Sequence, residues 1–125
     1  MNDADNGQST GDLKQRTKSF AVRIVKLYAA LPKETAAQVI GKQLLRSGTS
    51  VGAHYREAQR SRSPAEFISK TEVGLQELEE TDYWIDLLIE CEIVAPNLLA
   101  PLKQEIDELL AMLTATVKTI KSKKK

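Results

Sequence analysis

Apolar side chains recur at alternating intervals of three and four residues along almost the whole chain after residue 12. This spacing places them in one stripe along an α-helix. Only four prolines and six glycines occur in 125 residues, so little in the chain opposes helix formation. In the first segment the stripe consists of Leu13, Thr17, Phe20, Ile24, Leu27 and Leu31. The sequence therefore predicts an all-α protein.

Capping residues and prolines indicate where the first two helices begin and end. Asp12 is a good N-cap for the first helix, and Pro32 ends it. Thr35 and Gln38 have the spacing of a capping box, which predicts a second helix that runs to about Ser61. Its stripe consists of Ile40, Leu44, Ser47, Val51, His54 and Ala58.

The third and fourth helices are marked in the same way. Ser63 is an N-cap, Pro64 takes the first helical position and Glu66 completes a capping box. This helix extends toward Pro96, and the fourth begins between residues 97 and 101 because proline fits only a first turn. Their stripes consist of Phe67, Thr71, Leu75, Leu78, Ile85, Leu88 and Ile89, and of Leu102, Ile106, Leu109, Leu113, Val117 and Ile120. Four helices with short connections predict an antiparallel up-and-down four-helix bundle.

The two ends of the chain differ in character from the helical part. Residues 1–11 have no apolar periodicity, and we expect a disordered N-terminal tail because they bury too little to offset the entropy of ordering. Residues 12–121 form the predicted bundle domain. Residues 122–125 are a lysine-rich C-terminal tail, whose charge suits the carboxyl end of a helix dipole.

Composition excludes several classes of function. Lys and Arg total 18 against 17 Asp and Glu, and a net charge of +1 gives no general attraction to nucleic acid or to an anionic membrane. The single cysteine, Cys91, is predicted to be a buried structural thiol. The single histidine, His54, is too few for the paired ligands of a di-metal bundle. We expect a cytoplasmic protein that is not an enzyme and has no metal, cofactor, small-molecule substrate or membrane partner.

The charges are nevertheless distributed unevenly. Residues 1–62 carry a net charge of +6, residues 63–100 carry −8 and residues 101–125 carry +3. The acidic third helix can neutralise basic neighbours within one chain. Alternatively, it can contact a complementary subunit, or the basic segments can form a face that meets a polyanion. The sequence leaves these three interpretations open.

Small residues dominate the middle of the second helix. Residues 47–53 contain hardly a bulky side chain, so another helix can approach their backbone closely. Gly41, Gly48 and Tyr55 are seven residues apart and lie on nearly one line of the helix surface. Trp84 lies just off the apolar stripe of the third helix and can fill such a groove, in the same subunit or in a neighbouring one.

Residues 43–58, with the sequence QLLRSGTSVGAHYREA, closely resemble the hallmark of the bacterial 23S ribosomal RNA intervening sequence proteins. The resemblance covers roughly residues 13–121 and continues through Phe67, Ile68, Ser69, Lys70, Glu77, Glu80, Thr81, Tyr83, Trp84, Leu87 and Leu88. It implies an antiparallel four-helix bundle that assembles into a pentameric ring. A related protein, the accessory variability determinant of diversity-generating retroelements, is a pentamer that binds a reverse transcriptase and nucleic acid. The resemblance therefore implies a scaffold and no catalytic residue.

The resemblance also suggests which residues make contacts within the bundle or the ring. From the resemblance these candidates are Arg46, Ser50, Glu57, Glu77, Glu80 and Trp84. The small-residue stretch and its line on the second helix add Gly48, Gly52 and Tyr55. One position departs from the family, which commonly has asparagine where this chain has His54. A hydrogen bond made there by a neutral amide becomes sensitive to pH with histidine.

Basic residues gather at the ends of the second and fourth helices, which run in the same direction in an up-and-down bundle. They predict a cationic rim formed by Arg56, Arg60, Arg62, Lys118, Lys121, Lys123, Lys124 and Lys125. A ring of five would repeat this rim five times, so many weak phosphate contacts would add up.

The sequence and the resemblance together lead to one expected function and one alternative. The expectation is a non-enzymatic, homo-oligomeric helical scaffold that assists a nucleic-acid process, as the accessory subunit of a retroelement reverse transcriptase. Its partners would be copies of itself, the reverse transcriptase, and RNA or DNA that it contacts through the nucleic-acid backbone. The alternative is a ring that binds only proteins.

Overall fold

The computed structural model describes the backbone of residues 10–124 and the side chains of residues 12–123. Within those residues it contains helices and no strand. The helices are α1 (Thr10–Ala30), α2 (Thr35–Gln59), α3 (Pro64–Glu90) and α4 (Pro96–Lys124). The predicted all-α class is confirmed.

The four helices form an up-and-down bundle. Each helix packs against the next in the chain, most extensively α2 against α3, and α1 also contacts α4. The connections are only four or five residues long. Connections this short make consecutive helices antiparallel neighbours.

The core lies where the predicted stripes meet. Side chains with no exposed surface come from all four helices: Phe20, Ile24, Leu44, Val51, Leu78, Ile85, Leu88, Ile106 and Leu109. Other members of the stripes are only partly buried and pack at the margin of the core, among them Leu27, Ile40, Phe67, Leu75 and Ile89. Burial of this apolar surface is the main term that stabilises the bundle.

The first helix begins earlier than predicted. α1 starts at Thr10, so Asp12 lies within its first turn and is not the N-cap. A carboxylate in the first turn still interacts favourably with the helix dipole. Residues 1–9 of the predicted N-terminal tail lie outside the described residues, whereas Thr10 and Gly11 belong to α1.

The predicted capping box of the second helix is wrong. Glu34 is the N-cap of α2, and its side chain makes no capping hydrogen bond. Gln38 Nε2 instead donates to the carbonyl oxygen of Pro32 at 2.8 Å, and Gln38 Oε1 accepts from the Tyr28 hydroxyl at 3.1 Å. The Gln38 side chain therefore bridges the turn to α1.

The predicted start of the third helix is confirmed. Ser63 Oγ accepts a hydrogen bond from the backbone N–H of Glu66 at 3.1 Å, and Pro64 is the first helical residue. The Glu66 carboxylate accepts from the backbone N–H of Arg62 at 2.9 Å, one residue before the usual partner of a capping box.

The third helix ends well before Pro96, in a Schellman motif. The N–H of Ile93 donates to the carbonyl of Leu88, and that of Glu92 to the carbonyl of Ile89, both at 2.9 Å. Glu92 has a φ of 60°. This left-handed conformation usually belongs to glycine and costs other residues roughly 1 kcal/mol. A helix that reaches Pro96 is therefore wrong.

Cys91 is the C-cap residue of α3, and it is exposed. α3 ends at Glu90, so Cys91 directly follows the last turn of the helix. The predicted buried thiol is therefore wrong.

The fourth helix begins at Pro96, one residue before the predicted interval. Pro101 is consequently inside α4 and beyond its first turn. At the other end α4 continues to Lys124, so most of the predicted lysine-rich tail extends this helix. Lys125 lies outside the described residues.

Candidate functional site

Glycines of α2 bring α1 close to the α2 backbone. A Cβ added at Gly48 would lie 2.7 Å from Ile24 Cγ1, and one added at Gly41 would lie 2.6 Å from Leu31 Cδ1. Both distances are shorter than real Cβ contacts. The small-residue stretch of α2 therefore accommodates α1 of the same chain.

Within the chain, Trp84 does not fill that stretch. Its indole Nε1 donates to Glu80 Oε2 at 2.9 Å, and its ring packs edge-to-face on Tyr83 with centroids 5.0 Å apart. Tyr55, on the same predicted line as Gly48, is buried beside Phe67 with ring centroids 6.4 Å apart. Burial raises the pKa of Tyr55 to about 12. Tyr55 is thus a core residue.

A polar cluster connects α2 to α3. Arg46 Nη1 lies 3.1 Å from Glu77 Oε1, and Arg46 Nη2 contacts Glu80 Oε2. The hydrogen bond from Arg46, followed by the one from Trp84, lowers the pKa of Glu80. Beneath the cluster the buried hydroxyl of Thr81 donates to Ser47 Oγ at 2.8 Å. The structure therefore brings together Arg46, Glu77, Glu80 and Trp84, as the resemblance suggests for contacts of the bundle.

The remaining candidates on α2 are dispersed. Ser50 Oγ donates to the Arg46 carbonyl at 2.7 Å, a hydrogen bond within its own helix. Gly52 faces α1, where an added Cβ would lie 3.2 Å from Thr17 Oγ1. Glu57 lies 3.5 Å from Lys70 Nζ.

His54 lies between two carboxylates. Its Nε2 is 3.8 Å from Glu77 Oε2, and its Nδ1 is 4.0 Å from Glu57 Oε1. The residue at the position where asparagine is common in the family therefore borders the polar cluster of α2 and α3.

Most carboxylates of acidic α3 are neutralised within the chain. Lys103 Nζ of α4 lies 2.9 Å from Asp82 Oδ1 and 2.6 Å from Asp86 Oδ1. Lys121 Nζ lies 3.3 Å from Glu72 Oε2. With the Arg46 cluster, these pairs agree with the first of the three interpretations of the uneven charge.

The basic residues predicted to form a rim lie at one end of the bundle. The ion pair between Lys121 and Glu72 places the end of α4 beside the first part of α3. The beginning of α3 is joined by a short connection to the end of α2, so the ends of α2 and α4 lie at the same end of the bundle. No ion pair within the described residues involves Arg56, Arg60, Arg62, Lys118 or Lys123. The side chain of Lys124 and the whole of Lys125 lie outside the described residues.

Two lysines of α1 extend this basic end along the side of the bundle. A cavity of about 270 Å³ is lined by Lys14, Arg56, Gln59 and Arg60. A second cavity of about 330 Å³ shares Arg56 and is otherwise lined by Thr17, Lys18, Ala21, Thr49, Gly52 and Ala53. We call the two cavities together the α1–α2 groove. Among the residues that the structure describes, four cations and no carboxylate line it.

The predicted cationic rim did not include Lys14 and Lys18, because that prediction considered only cations at the carboxyl ends of helices. Their spacing of four residues places them on one face of α1, near its amino end. In an up-and-down bundle the start of α1 lies beside the end of α2. This rule, applied to α1, would have placed both lysines near Arg56 and Arg60.

The part of the chain that the structure describes lacks two other kinds of feature. It contains no group of three or more His, Cys, Asp or Glu side chains that could hold a metal ion. None of its helices combines the length and apolar character needed to cross a membrane.

Comparison with known proteins identifies the family. The family model described as 23S rRNA-intervening sequence protein matches residues 10–115. A crystal structure of a protein of unknown function from the S23 ribosomal protein family of Bacteroides thetaiotaomicron VPI-5482 is 39% identical, with a TM-score of 0.83. The match covers 87% of this chain and 97% of that one. No curated protein matches the chain. The chain therefore belongs to the 23S rRNA-intervening sequence protein family.

Proposed function

We propose that this chain is a non-enzymatic, homo-oligomeric scaffold of the cytoplasm that assists a nucleic-acid process by holding phosphate groups at its basic end. The observation that carries the proposal is the set of cations at that end which form no ion pair with the described side chains. The set consists of Lys14, Arg56, Arg60, Arg62, Lys118 and Lys123.

The distribution of charge explains how a chain with a net charge of +1 can bind a polyanion. Cations of α2 and α4 neutralise carboxylates of α3 at short range. The cations that form none of these ion pairs lie on the α1 side of α2 and at one end of the bundle. Each phosphate that they contact releases condensed counterions, and this term depends on the local cations and not on the net charge.

A pentameric ring is part of the proposal and is supported by the resemblance to the family. Five copies would present five basic ends close together, which raises the affinity for a long polyanion through effective concentration. Light scattering after size exclusion should give about five times the chain mass of 13.9 kDa. A monomer at micromolar concentration would remove the ring from the proposal.

The partner that we propose is a reverse transcriptase. Support comes from the resemblance of the chain to the accessory variability determinant of diversity-generating retroelements. The gene neighbourhood tests this part, because such an element carries a reverse transcriptase gene and a pair of template and variable repeats. A neighbourhood without them would leave the scaffold and remove this partner.

The alternative is a ring that binds only proteins, and a net charge of +1, which gives no long-range attraction to a polyanion, is compatible with it. Fluorescence anisotropy with RNA and DNA of several sequences distinguishes the two. We expect binding that is insensitive to sequence, falls steeply with salt and weakens, with a flatter salt slope, when residues 121–125 are removed. The absence of binding at about 50 mM salt, where phosphate contacts are strong, would favour the protein-only ring.

A further inference from the structure

We infer that the α1–α2 groove binds the phosphodiester backbone of one single strand of nucleic acid. This inference rests on the proposed function and names the site and the ligand class. It concerns a different surface from the lysines at the end of α4, because the groove runs along the side of the bundle between two helices.

The charge of the groove selects an anion. Lys14 and Lys18 line it from α1, and Arg56 and Arg60 line it from α2. Each pair is four residues apart, so its members are separated by about 6 Å along the helix axis. Two parallel rows of cations, with no carboxylate among the described lining residues, suit a linear ligand that carries charge at intervals.

The shape of the groove selects a narrow ligand. Packed helices have axes about 8–10 Å apart, so the depression between them admits one extended chain. Small residues form much of its lining, namely Ala21, Gly52 and Ala53. A duplex is too wide to enter and would contact only the rim. The lining therefore favours a single strand.

The remaining lining shows why the strand would be held without reading its bases. In the part of the chain that the structure describes, this lining contains no aromatic side chain on which a base could stack. The hydroxyls of Thr17 and Thr49 already donate to the carbonyls of Leu13 and Leu45, at 2.8 and 2.7 Å. Among the described residues, the lining donors without a hydrogen-bond partner are thus the four cations and the Gln59 amide, which match phosphate oxygens.

Two variants with the same loss of charge on exposed lysines test the inference. The groove variant is Lys14→Gln with Lys18→Gln, and the control is Lys26→Gln with Lys33→Gln, whose side chains lie outside both cavities. The full-length protein is titrated by anisotropy against a labelled oligothymidylate of about 20 nucleotides, the corresponding duplex and poly-L-glutamate. Urea denaturation checks that both variants fold as stably as the wild type.

We expect the groove variant to bind the single strand at least about tenfold more weakly than the control does at about 50 mM salt. Its salt slope should be shallower by about 1.4, the value for two lost phosphate contacts on a single strand. The wild type should prefer the single strand to the duplex and to poly-L-glutamate.

The outcomes separate this inference from the proposed function. If the wild type binds but the groove variant and the control weaken equally, the groove is not the site and the general function stands. An equal affinity for the duplex, or a higher affinity for poly-L-glutamate, would overturn the ligand class. A wild type that binds neither nucleic acid would overturn the proposed function itself.

Discussion

The two sides of α2 hold their neighbouring helices in different ways. Toward α1 the contact depends on missing side chains, because Gly41, Gly48 and Gly52 let α1 approach the backbone. No ion pair between described residues crosses from α1 to α2. Toward α3 the contact includes the Arg46 ion pairs and the buried hydrogen bond between Thr81 and Ser47.

The two contacts of α2 therefore differ in how much they stabilise the fold and in how many cations they leave to bind a partner. Exposed ion pairs contribute at most about 1 kcal/mol each, so those between α2 and α3 mainly neutralise charge. Close apolar packing contributes more. It also leaves nearby cations without an ion-pair partner among the described side chains. The α1 side of α2 is consequently both the more sensitive to substitution and the more cationic.

The largest effect is expected from a bulky residue in the α1–α2 contact. Gly48→Leu would place its side chain against Ile24, which is completely buried and cannot move aside. We expect the free energy of unfolding to fall by about 3 kcal/mol or more through overpacking, with loss of any ring. Urea denaturation and light scattering measure the two effects. An unchanged free energy of unfolding and an unchanged mass would contradict the close contact.

A smaller effect is expected from the α2–α3 contact. Arg46→Gln removes the partner of Glu77 and Glu80 at a largely exposed site, so we expect a loss of about 1 kcal/mol or less at neutral pH. The loss should itself depend on pH. Arg46 lowers the pKa of Glu80 in the folded state, so this contribution is present above the unfolded value of about 4.5 and disappears as the pH falls through the folded value.

Stability measured between neutral pH and pH 3 checks this sign. The wild type and the variant should converge as the pH falls, because both then carry protonated glutamates. A difference that stays constant down to pH 3 would show that Arg46 acts through the packing of its alkyl chain. Lys42→Gln is a suitable control, since this exposed residue of α2 makes no ion pair with the described side chains.

Local sequence rules predicted the features that depend on neighbouring residues. The apolar period gave the four helices, and Ser63 with Pro64 gave the start of α3. Local sequence rules failed where residues elsewhere in the chain offer a side chain competing hydrogen-bond partners. Gln38 caps no helix because Pro32 and Tyr28 offer it partners across the turn.

The end of α3 and the α1–α2 groove were missed for different reasons. The Schellman motif has Glu92 where glycine is the usual signal, so the sequence contains no stop before Pro96. The groove needs Lys14 of one helix beside Arg56 of another, which only the packed bundle specifies. The small-residue stretch was recognised, but the helix that covers it depends on the position of Ile24.

The smallest effects come from one substitution made on each side of α2. An added Cβ at Gly74 of α3 would lie 3.6 Å from the Val51 carbonyl oxygen and 3.7 Å from His54 Cβ, which are ordinary contacts. Gly74→Ala should therefore raise the free energy of unfolding by about 0.5 kcal/mol, because alanine loses less backbone entropy in a helix.

Gly48→Ala gains the same helix propensity but meets Ile24 at 2.7 and 2.8 Å, so packing should outweigh it and lower the stability. The two alanine variants thus differ in sign, although both replace a buried glycine within a helix. Urea denaturation under identical conditions measures both. If both variants gain stability, α1 can shift away from α2 at little cost, and the contrast between the two sides of α2 is lost. If both variants lose stability, the α2–α3 contact is as tight as the α1–α2 contact. The contact that the Arg46 ion pairs cross would then also tolerate no additional methyl group.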